Sequence, residues 1–558
     1  MVNALILIVM EPSITEEQAR MLIVLVRVGF YCGVAWLLWK LIFKDAYLLK
    51  FIKPVKNPKL KGVRLVSWVL VFAFIAILAY QATWQLGGFL RPRFVGFMQK
   101  HDRRKFNPAL QIQRGIIADR NGRALAENRK ANGTVKRHYP LGPATVHLVG
   151  YFDPVFGVTG LEQSADSLLM GLDDVNADDW ESFGQRLITR KDLPQGKNLK
   201  LTVDSKLQQG IFDKLVQGRY DKKSKPAGGK PYRGAIVVLD VRDGALLAAC
   251  SAPGFDPNQM TRKTFSKSQS GSPLFNRALH GLYPPGSVFK VAIGSYYLEK
   301  AMLGTGFPLT IDCGPEFRTP DGKGIVRDLS YYSYQARGKK WPGFGKIDLG
   351  KAIEQSCNVY FAQVGVTIGK DGFDWLRRLL RFDQSLTLYK GIVGSTASAK
   401  SRFPELNPDD SFSMALMGIG QGELQVTPLH MAMVAACVAN QGMLMQPRLT
   451  FDKPMEELGR AMSPRTSAFM RDMMARVVTD GTARKAFDGF EMSVGGKTGS
   501  AQNPTGDSHA WFIGFAPLER PQIAISVVVE NGGYGGSTAA PIARHALELA
   551  ARHGLIRP

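Results

Sequence analysis

Ser287 and Lys290, three positions apart in "YPPGSVFKVAIG", are the residues with which covalent chemistry in this chain begins. A serine hydroxyl is a weak nucleophile until a base takes its proton. Residues at i and i+3 share a helix face, so an uncharged amine at 290 can reach the alcohol at 287. An ordinary lysine holds its proton too tightly for this, but burial and a second nearby cation weaken that hold. Pro284, Pro285 and Gly286 resist continuing a helix and the residues after them favour one, so Ser287 falls at a helix N-terminus. There the helix dipole supports a developing oxyanion. Taken alone, the spacing reads more readily as a capping serine followed by a solvated lysine, since about one or two such matches arise by chance in a chain this long.

Two further groups keep it company. "EQSCNVYF" offers Ser356 and Asn358, and "GGKTGS" offers Lys497, Thr498, Gly499 and Ser500. Gly-Lys-Thr also occurs in phosphate-binding loops, but these require a glycine six positions before the lysine so that backbone N–H groups can wrap the phosphates. Here that position is Glu491, whose carboxylate repels phosphate. Each of the patterns S-x-x-K, S-x-N and K-T-G occurs once in the sequence.

The elements that must position these residues follow from local patterning. "GAIVVLDVRDGALLAAC" reads as two apolar strands around an Asp-Gly turn. Helix-like stretches follow at 288–303, 349–366 and 427–440, then strand candidates at 492–502, 510–516 and 523–530, and a last helix over 538–553. Strands at both ends with helices between predict an α+β domain whose first and last strands share a sheet. Trp511, Phe512 and Phe515 fall in this pattern as core residues. Upstream, "RGIIADRNGRALAENR" predicts a hairpin at Asn121-Gly122, "LEQSADSLLMGL" a helix and "LKLTVD" a strand. This small mixed module carries no chemical constellation and suits a stalk or docking surface. The basic Gly/Pro-rich stretch 218–234 reads as a solvated linker.

At 558 residues, with 45% hydrophobic and 21% charged residues, the chain is a folded protein of at least two domains. Two apolar runs, Met21–Phe43 and Leu65–Leu86, are each long enough to cross about 30 Å of hydrocarbon. Arg27 in the first run leaves an interfacial amphipathic helix as the other reading of that segment. The connector holds Lys44, Lys50, Lys53, Lys56, Lys59, Lys61 and Arg64 against Asp45, which predicts a cytoplasmic loop and places everything after about residue 90 on the outer face. The acidic residues before the first run and the lack of a small-residue cleavage pattern argue against a removable signal. The net charge of +24 comes without a zinc finger, RNA-binding signature or basic heptad helix, so a nucleic-acid role is not expected. A solvated surface or an acidic polymer outside the membrane accounts for it. Cys32, Cys250, Cys313, Cys357 and Cys437 are scattered without C-x-x-C pairing, so neither a structural metal nor a disulfide framework is expected, one pair such as Cys250 with Cys313 being left open. Cys357 reads as a small buried filler, and His280 and His509 have no G-x-S-x-G or H-E-x-x-H context.

With S-x-x-K, S-x-N and K-T-G in this order, and with "RGIIADRNGRALA", "GLEQSAD", "LTVDSKLQ", "APGFDPN", "GIGQGELQVTPLHMA" and "HAWFIGFAP" beside them, the chain resembles a class B penicillin-binding protein. Such a protein is a membrane-anchored, monofunctional peptidoglycan D,D-transpeptidase. The resemblance spans nearly the whole length, although the stalk is short and two predicted spans stand where one is usual. It implies an α+β fold in three parts: an anchor at 1–90, a pedestal at 91–217 and, after a linker at 218–233, a transpeptidase domain at 234–558. That domain would have a mainly antiparallel sheet flanked by helices. It implies Ser287 as nucleophile, Lys290 as general base, and Ser356 as a proton relay between Lys290, Lys497 and the leaving nitrogen. Asn358 would bind the substrate backbone, Lys497, Thr498 and Ser500 the terminal carboxylate, and Gly499 would leave room for close approach. The backbone N–H groups of Ser287 and Ser500 would form the oxyanion hole. Stem peptides and β-lactams are the implied ligands, a lipid-linked-glycan polymerase of the SEDS family the implied partner, the outer face of the bacterial cytoplasmic membrane the implied location, and no metal or cofactor is called for. A β-lactamase or penicillin-sensing receptor would share Ser287 and Lys290, whereas an idle scaffold would carry a broken motif, and none is broken.

Overall fold

The computed structural model describes residues 70, 71, 73–77, 80, 112–131, 134–173, 195–218, 231–266, 271–392, 394–504 and 506–557. The apolar run 21–43 and the basic connector lie outside the described residues, as do most of the run 65–86 and of the linker. The described positions of the second run are helical and exposed, and among the described residues no helix is long and apolar enough to cross a membrane.

Five antiparallel strands form the central sheet: β1 (Gly234–Asp240), β2 (Leu246–Ala252), β3 (Gly495–Ala501), β4 (His509–Ala516) and β5 (Ile523–Val529), in the order β3-β4-β5-β1-β2. The first and last strands share this sheet as expected, and they pair directly, with Ile525 opposite Val238 and Val527 opposite Ile236. "IAISVVV" and "GAIVVLD" are rich in β-branched residues, which fit a pleated surface. Every residue of β5 is buried, so both of its faces are covered. Among the described residues, the helices include α1 (Ser205–Gln217), α2 (Lys290–Met302), α3 (Leu349–Gln355), α4 (Asn358–Leu379), α5 (Pro428–Ala439), α6 (Pro464–Thr479) and α7 (Ala539–Arg552). Helices α5 and α7 both pack on β4 and β5, while α1 packs on β2 and α7. All twelve residues of α5 are buried, which fits its sequence "PLHMAMVAACVA", apolar but for His430. Trp511, Phe512 and Phe515 are fully buried core residues.

The stretch 349–366 is not one helix. Ser356 sits at φ +59°, ψ +38°, ends α3 in a left-handed conformation, and lets α4 start afresh at Asn358. The stretch "LEQSADSLLMGL" (161–172), expected as a helix, holds two short ones, Gly160–Ser164 and Asp166–Leu169. The expected hairpin pairs Ile117–Ala118 with Ala124–Ala131. Fully buried Glu162 of this module is neutralised by Arg114 at 2.9 Å and Arg137 at 2.6 Å, as a buried carboxylate must be. The module is tied to the sheet through Gln208 of α1, whose amide bonds the Ala144 carbonyl and the Ala249 backbone. Cys250, Cys313, Cys357 and Cys437 are buried and free, so Cys250 and Cys313 are not bridged.

Candidate active site

The turn that carries Ser287 is fixed from three sides. A 3-10 turn, Gly286–Phe289, leads directly into α2 at Lys290, so Ser287 and Lys290 lie one turn apart. Gly286 has φ +55°, and its N–H donates to the Gly420 carbonyl at 2.8 Å. A β-carbon on Gly420 would stand 2.0 Å from the Gly286 oxygen, so this crossing admits only glycine. Trp511 of β4 donates its indole N–H to the Pro284 carbonyl at 3.0 Å. Tyr283 pairs with Val426, and its hydroxyl donates to Glu530 at 2.9 Å. Strand β3 is one of the sheet's two edge strands and packs on this turn. A β-carbon on Gly499 would meet Val288 at 3.0 Å and the Pro285 carbonyl at 3.2 Å. The first N–H groups of a helix lack intrahelical partners, and every second N–H of an edge strand faces away from its neighbour, so the cleft between turn and β3 suits an anion.

The expected site residues come together in this cleft. Lys290 and Lys497 are both fully buried. Lys290 Nζ donates to the Ser356 carbonyl and to Asn358 Oδ1, each at 2.7 Å. Lys497 Nζ donates to Ser356 Oγ at 2.9 Å and to the Thr498 carbonyl at 3.0 Å. Ser356 therefore joins the two amines, one through its backbone and the other through its hydroxyl. Ser287, Ser356, Asn358 and Ser500 are partly exposed. Ser500 Oγ accepts the Gly535 N–H at 3.2 Å, and the Asn358 amide nitrogen donates to the Arg327 carbonyl at 2.9 Å, which leaves it one further hydrogen.

Burial drives the electrostatics. It lowers Lys290 from 10.5 to about 8, against the opposing pull of Asp328 and Cys357. Burial, and then the charge of Lys290, hold Lys497 well below the ordinary ammonium range. Two dry ammonium groups repel, so both carrying a charge at once is disfavoured.

Sequence reasoning missed three contributors. Asp328 accepts from the Asn358 N–H and from the Cys357 thiol; in the sequence it is an unremarked residue before a short helix. Thr482, 16 residues before Thr498, shares a hydrogen bond with its hydroxyl, and no local pattern signals it. Gly535 approaches β3 so closely that a β-carbon would lie 2.3 Å from the Gly499 oxygen; the glycines of "NGGYGGS" were the available signal. His280 and His509 engage the Ala397 carbonyl and the Asn531 N–H instead of any motif residue.

Comparison with known proteins places this geometry. The penicillin binding protein transpeptidase domain matches residues 234–548, and the penicillin binding protein A dimerisation domain matches 114–198. The peptidoglycan D,D-transpeptidase PbpA of Mycolicibacterium smegmatis is 29% identical over 476 residues, covering 79% of this chain and 90% of the relative. The peptidoglycan D,D-transpeptidase MrdA of Salmonella typhimurium is 28% identical over 488 residues, covering 75% of this chain and 73% of its own. Penicillin-binding protein A from M. tuberculosis, solved as its penicillin G acyl-enzyme, superposes with a TM-score of 0.65 at 28% identity, over 79% of this chain and 100% of that one.

Proposed function

The chain belongs to the penicillin-binding protein transpeptidase family, and from that premise we propose that it is a peptidoglycan D,D-transpeptidase that cross-links stem peptides through a serine acyl-enzyme and is the target of β-lactams. The observation that carries this reading is the buried Lys290–Ser356–Lys497 chain beside the Ser287 turn. A neutral amine has two hydrogens and one lone pair. The Ser356 carbonyl and Asn358 Oδ1 satisfy both hydrogens of Lys290, which leaves the lone pair for the Ser287 proton.

The hydroxyls of Thr498 and Ser500 receive the substrate carboxylate beside Lys497, and Lys290, once it has lost its proton, is the base. Ser287 Oγ then adds to the carbonyl of the penultimate D-alanine. The oxyanion is held by the N–H groups of Ser287 and Ser500, each worth about 3 kcal/mol in such holes. The C–N bond breaks, a proton relayed through Ser356 goes to the nitrogen, and the terminal D-alanine departs. An amine from a neighbouring strand attacks the acyl carbonyl, forms the cross-link and frees Ser287. In a β-lactam the leaving nitrogen stays tethered by its ring, so it blocks the acceptor and the adduct persists.

The runs at 21–43 and 65–86 with their basic connector support an anchor, 1–90, in the cytoplasmic membrane with the remainder on the outer face. On this reading 91–217 is a pedestal, 218–233 a linker and 234–558 the catalytic domain. The membrane runs and the pedestal would meet a SEDS-family glycan polymerase. Intact-mass analysis tests the chemistry: the wild type should gain one penicilloyl group and Ser287→Ala none. A wild type that gains none refutes the proposal, and rapid hydrolytic turnover of the penicillin would instead mark a β-lactamase.

A further inference from the structure

Asp328 stands behind the cleft, and no step above uses its carboxylate. It is 3% exposed. Although it precedes the helix Leu329–Gln335, its side chain caps none of that helix's N–H groups. Both of its oxygens serve the Ser356–Asn358 turn instead: Oδ1 accepts the Asn358 N–H, and Oδ2 accepts the Cys357 thiol at 3.5 Å. The preceding residue grips the same turn, since the Arg327 carbonyl accepts from the Asn358 amide at 2.9 Å.

That turn needs holding. Ser356 lies at φ +59°, in a region where a residue with a β-carbon is strained by about 1–2 kcal/mol, and such strain persists only where the surroundings over-determine it. The two acceptors that grip Lys290 flank this strained geometry, one on Ser356 and the other on Asn358. The groups facing Lys290 come from every side. Asp328 faces it from the segment before the short helix, and Cys357 from the turn. Lys497 faces it from β3, and the Phe361 ring from α4 at 5.5 Å. Asp328 brings the negative charge and Lys497 the positive one.

We propose that Asp328 is a positioning residue for acylation: it locks the Ser356–Asn358 turn so that Lys290 is held by two acceptors. This rests on the reading of Ser287 as nucleophile and Lys290 as base. The carboxylate touches no substrate; it acts through the turn and through the amine. Removing its charge alone loosens the proton on Lys290, so the base becomes available at lower pH. Removing the whole carboxyl group frees the turn and misplaces the base, and displacements of about 1 Å in such sites cost on the order of 100-fold in rate.

The test compares wild type, Asp328→Asn and Asp328→Ala as full-length, detergent-solubilised protein. The rate of acylation by a fluorescent penicillin is followed from pH 6 to 10, and Tm is measured alongside. Asp328→Asn keeps an acceptor for the Asn358 N–H, and its acid limb should move down by on the order of one pH unit. Asp328→Ala should lose about 100-fold in the alkaline plateau. Profiles of both variants that superimpose on wild type, whatever the change in Tm, would make Asp328 a purely structural residue and overturn the proposal. A wild type that is never acylated would instead refute the reading of Ser287, so the two failures are distinct.

Discussion

Replacing Lys290 by methionine should change stability by an amount that depends on pH in a way no packing defect can imitate. Lys290 is fully buried and titrates at about 8 when folded, against an ordinary 10.5. Between those values the unfolded chain binds a proton that the folded one does not, so wild-type stability rises with pH across the window. At 1.36 kcal/mol per tenfold the rise is on the order of 3 kcal/mol. Methionine has no proton to lose, and the variant lacks this rise. It also leaves the Ser356 carbonyl and Asn358 Oδ1 without their donor, a cost of about 1–3 kcal/mol each, but that cost is the same at every pH and cancels in the comparison. Lys497, relieved of a neighbouring charge, titrates higher in the variant and flattens its curve further. Thermal unfolding of both proteins at pH 7 and pH 10 reads the effect: the variant should fall behind wild type by about 3–6 °C more at the higher pH. Equal gaps at the two pH values would refute the claim that Lys290 is buried at the expense of its charge.

The surrounding scaffold gives further expectations. Gly420→Ala drives a β-carbon to 2.0 Å from the Gly286 oxygen, and should lower stability by more than about 2 kcal/mol and abolish penicillin labelling; a variant that melts and labels as wild type contradicts the crossing described. Glu530→Gln leaves Arg277, which is 2% exposed, without its carboxylate at 2.7 Å, and should cost about 3 kcal/mol at neutral pH by thermal unfolding. Burial pushes Glu530 up, but Arg277, Tyr283 and Arg233 outweigh it and hold the carboxyl below its ordinary 4.5. The stabilisation is thus present above that value and lost as pH falls through the folded one, so the difference between variant and wild type should vanish in strong acid. Cys250, Cys313, Cys357 and Cys437 are buried, and burial raises Cys437 to about 12, so an alkylating reagent should label none of the four in the folded protein and all four after denaturation without reductant; a disulfide-linked peptide would contradict this.

The sheet was legible because its strands are apolar, β-branched and bounded by turn residues, and β3 to β5 fall within a few residues of the stretches 492–502, 510–516 and 523–530. The helix after Ser287 was legible from Pro284–Gly286, which break periodicity where the chain must turn. The region around Ser356 was not, because "DLGKAIEQSCNVYFAQVGV" carries a continuous helical pattern. Tertiary contacts of Asn358 to Asp328, 30 residues away, and of Ser356 to Lys290, 66 residues away, hold Ser356 in a conformation that its own propensity disfavours. The motif residues could be found because their types are chemically unusual together. Asp328 and Thr482 could not, because an aspartate before a helix and a threonine in a turn are ordinary residues whose partners are set only by the fold. For the same reason spacing could not tell that Asn358 would be engaged on both sides of its amide, by Lys290 and by the Arg327 carbonyl.

One buried amine must become neutral in order to take a proton from Ser287. The most direct measurement is the rate of acylation of the wild-type protein by penicillin between pH 6 and 10. It should climb about tenfold per pH unit at the acid end and level off above about 8, where Lys290 loses its proton. A rate unchanged across that range would show that no group titrating there serves as the base.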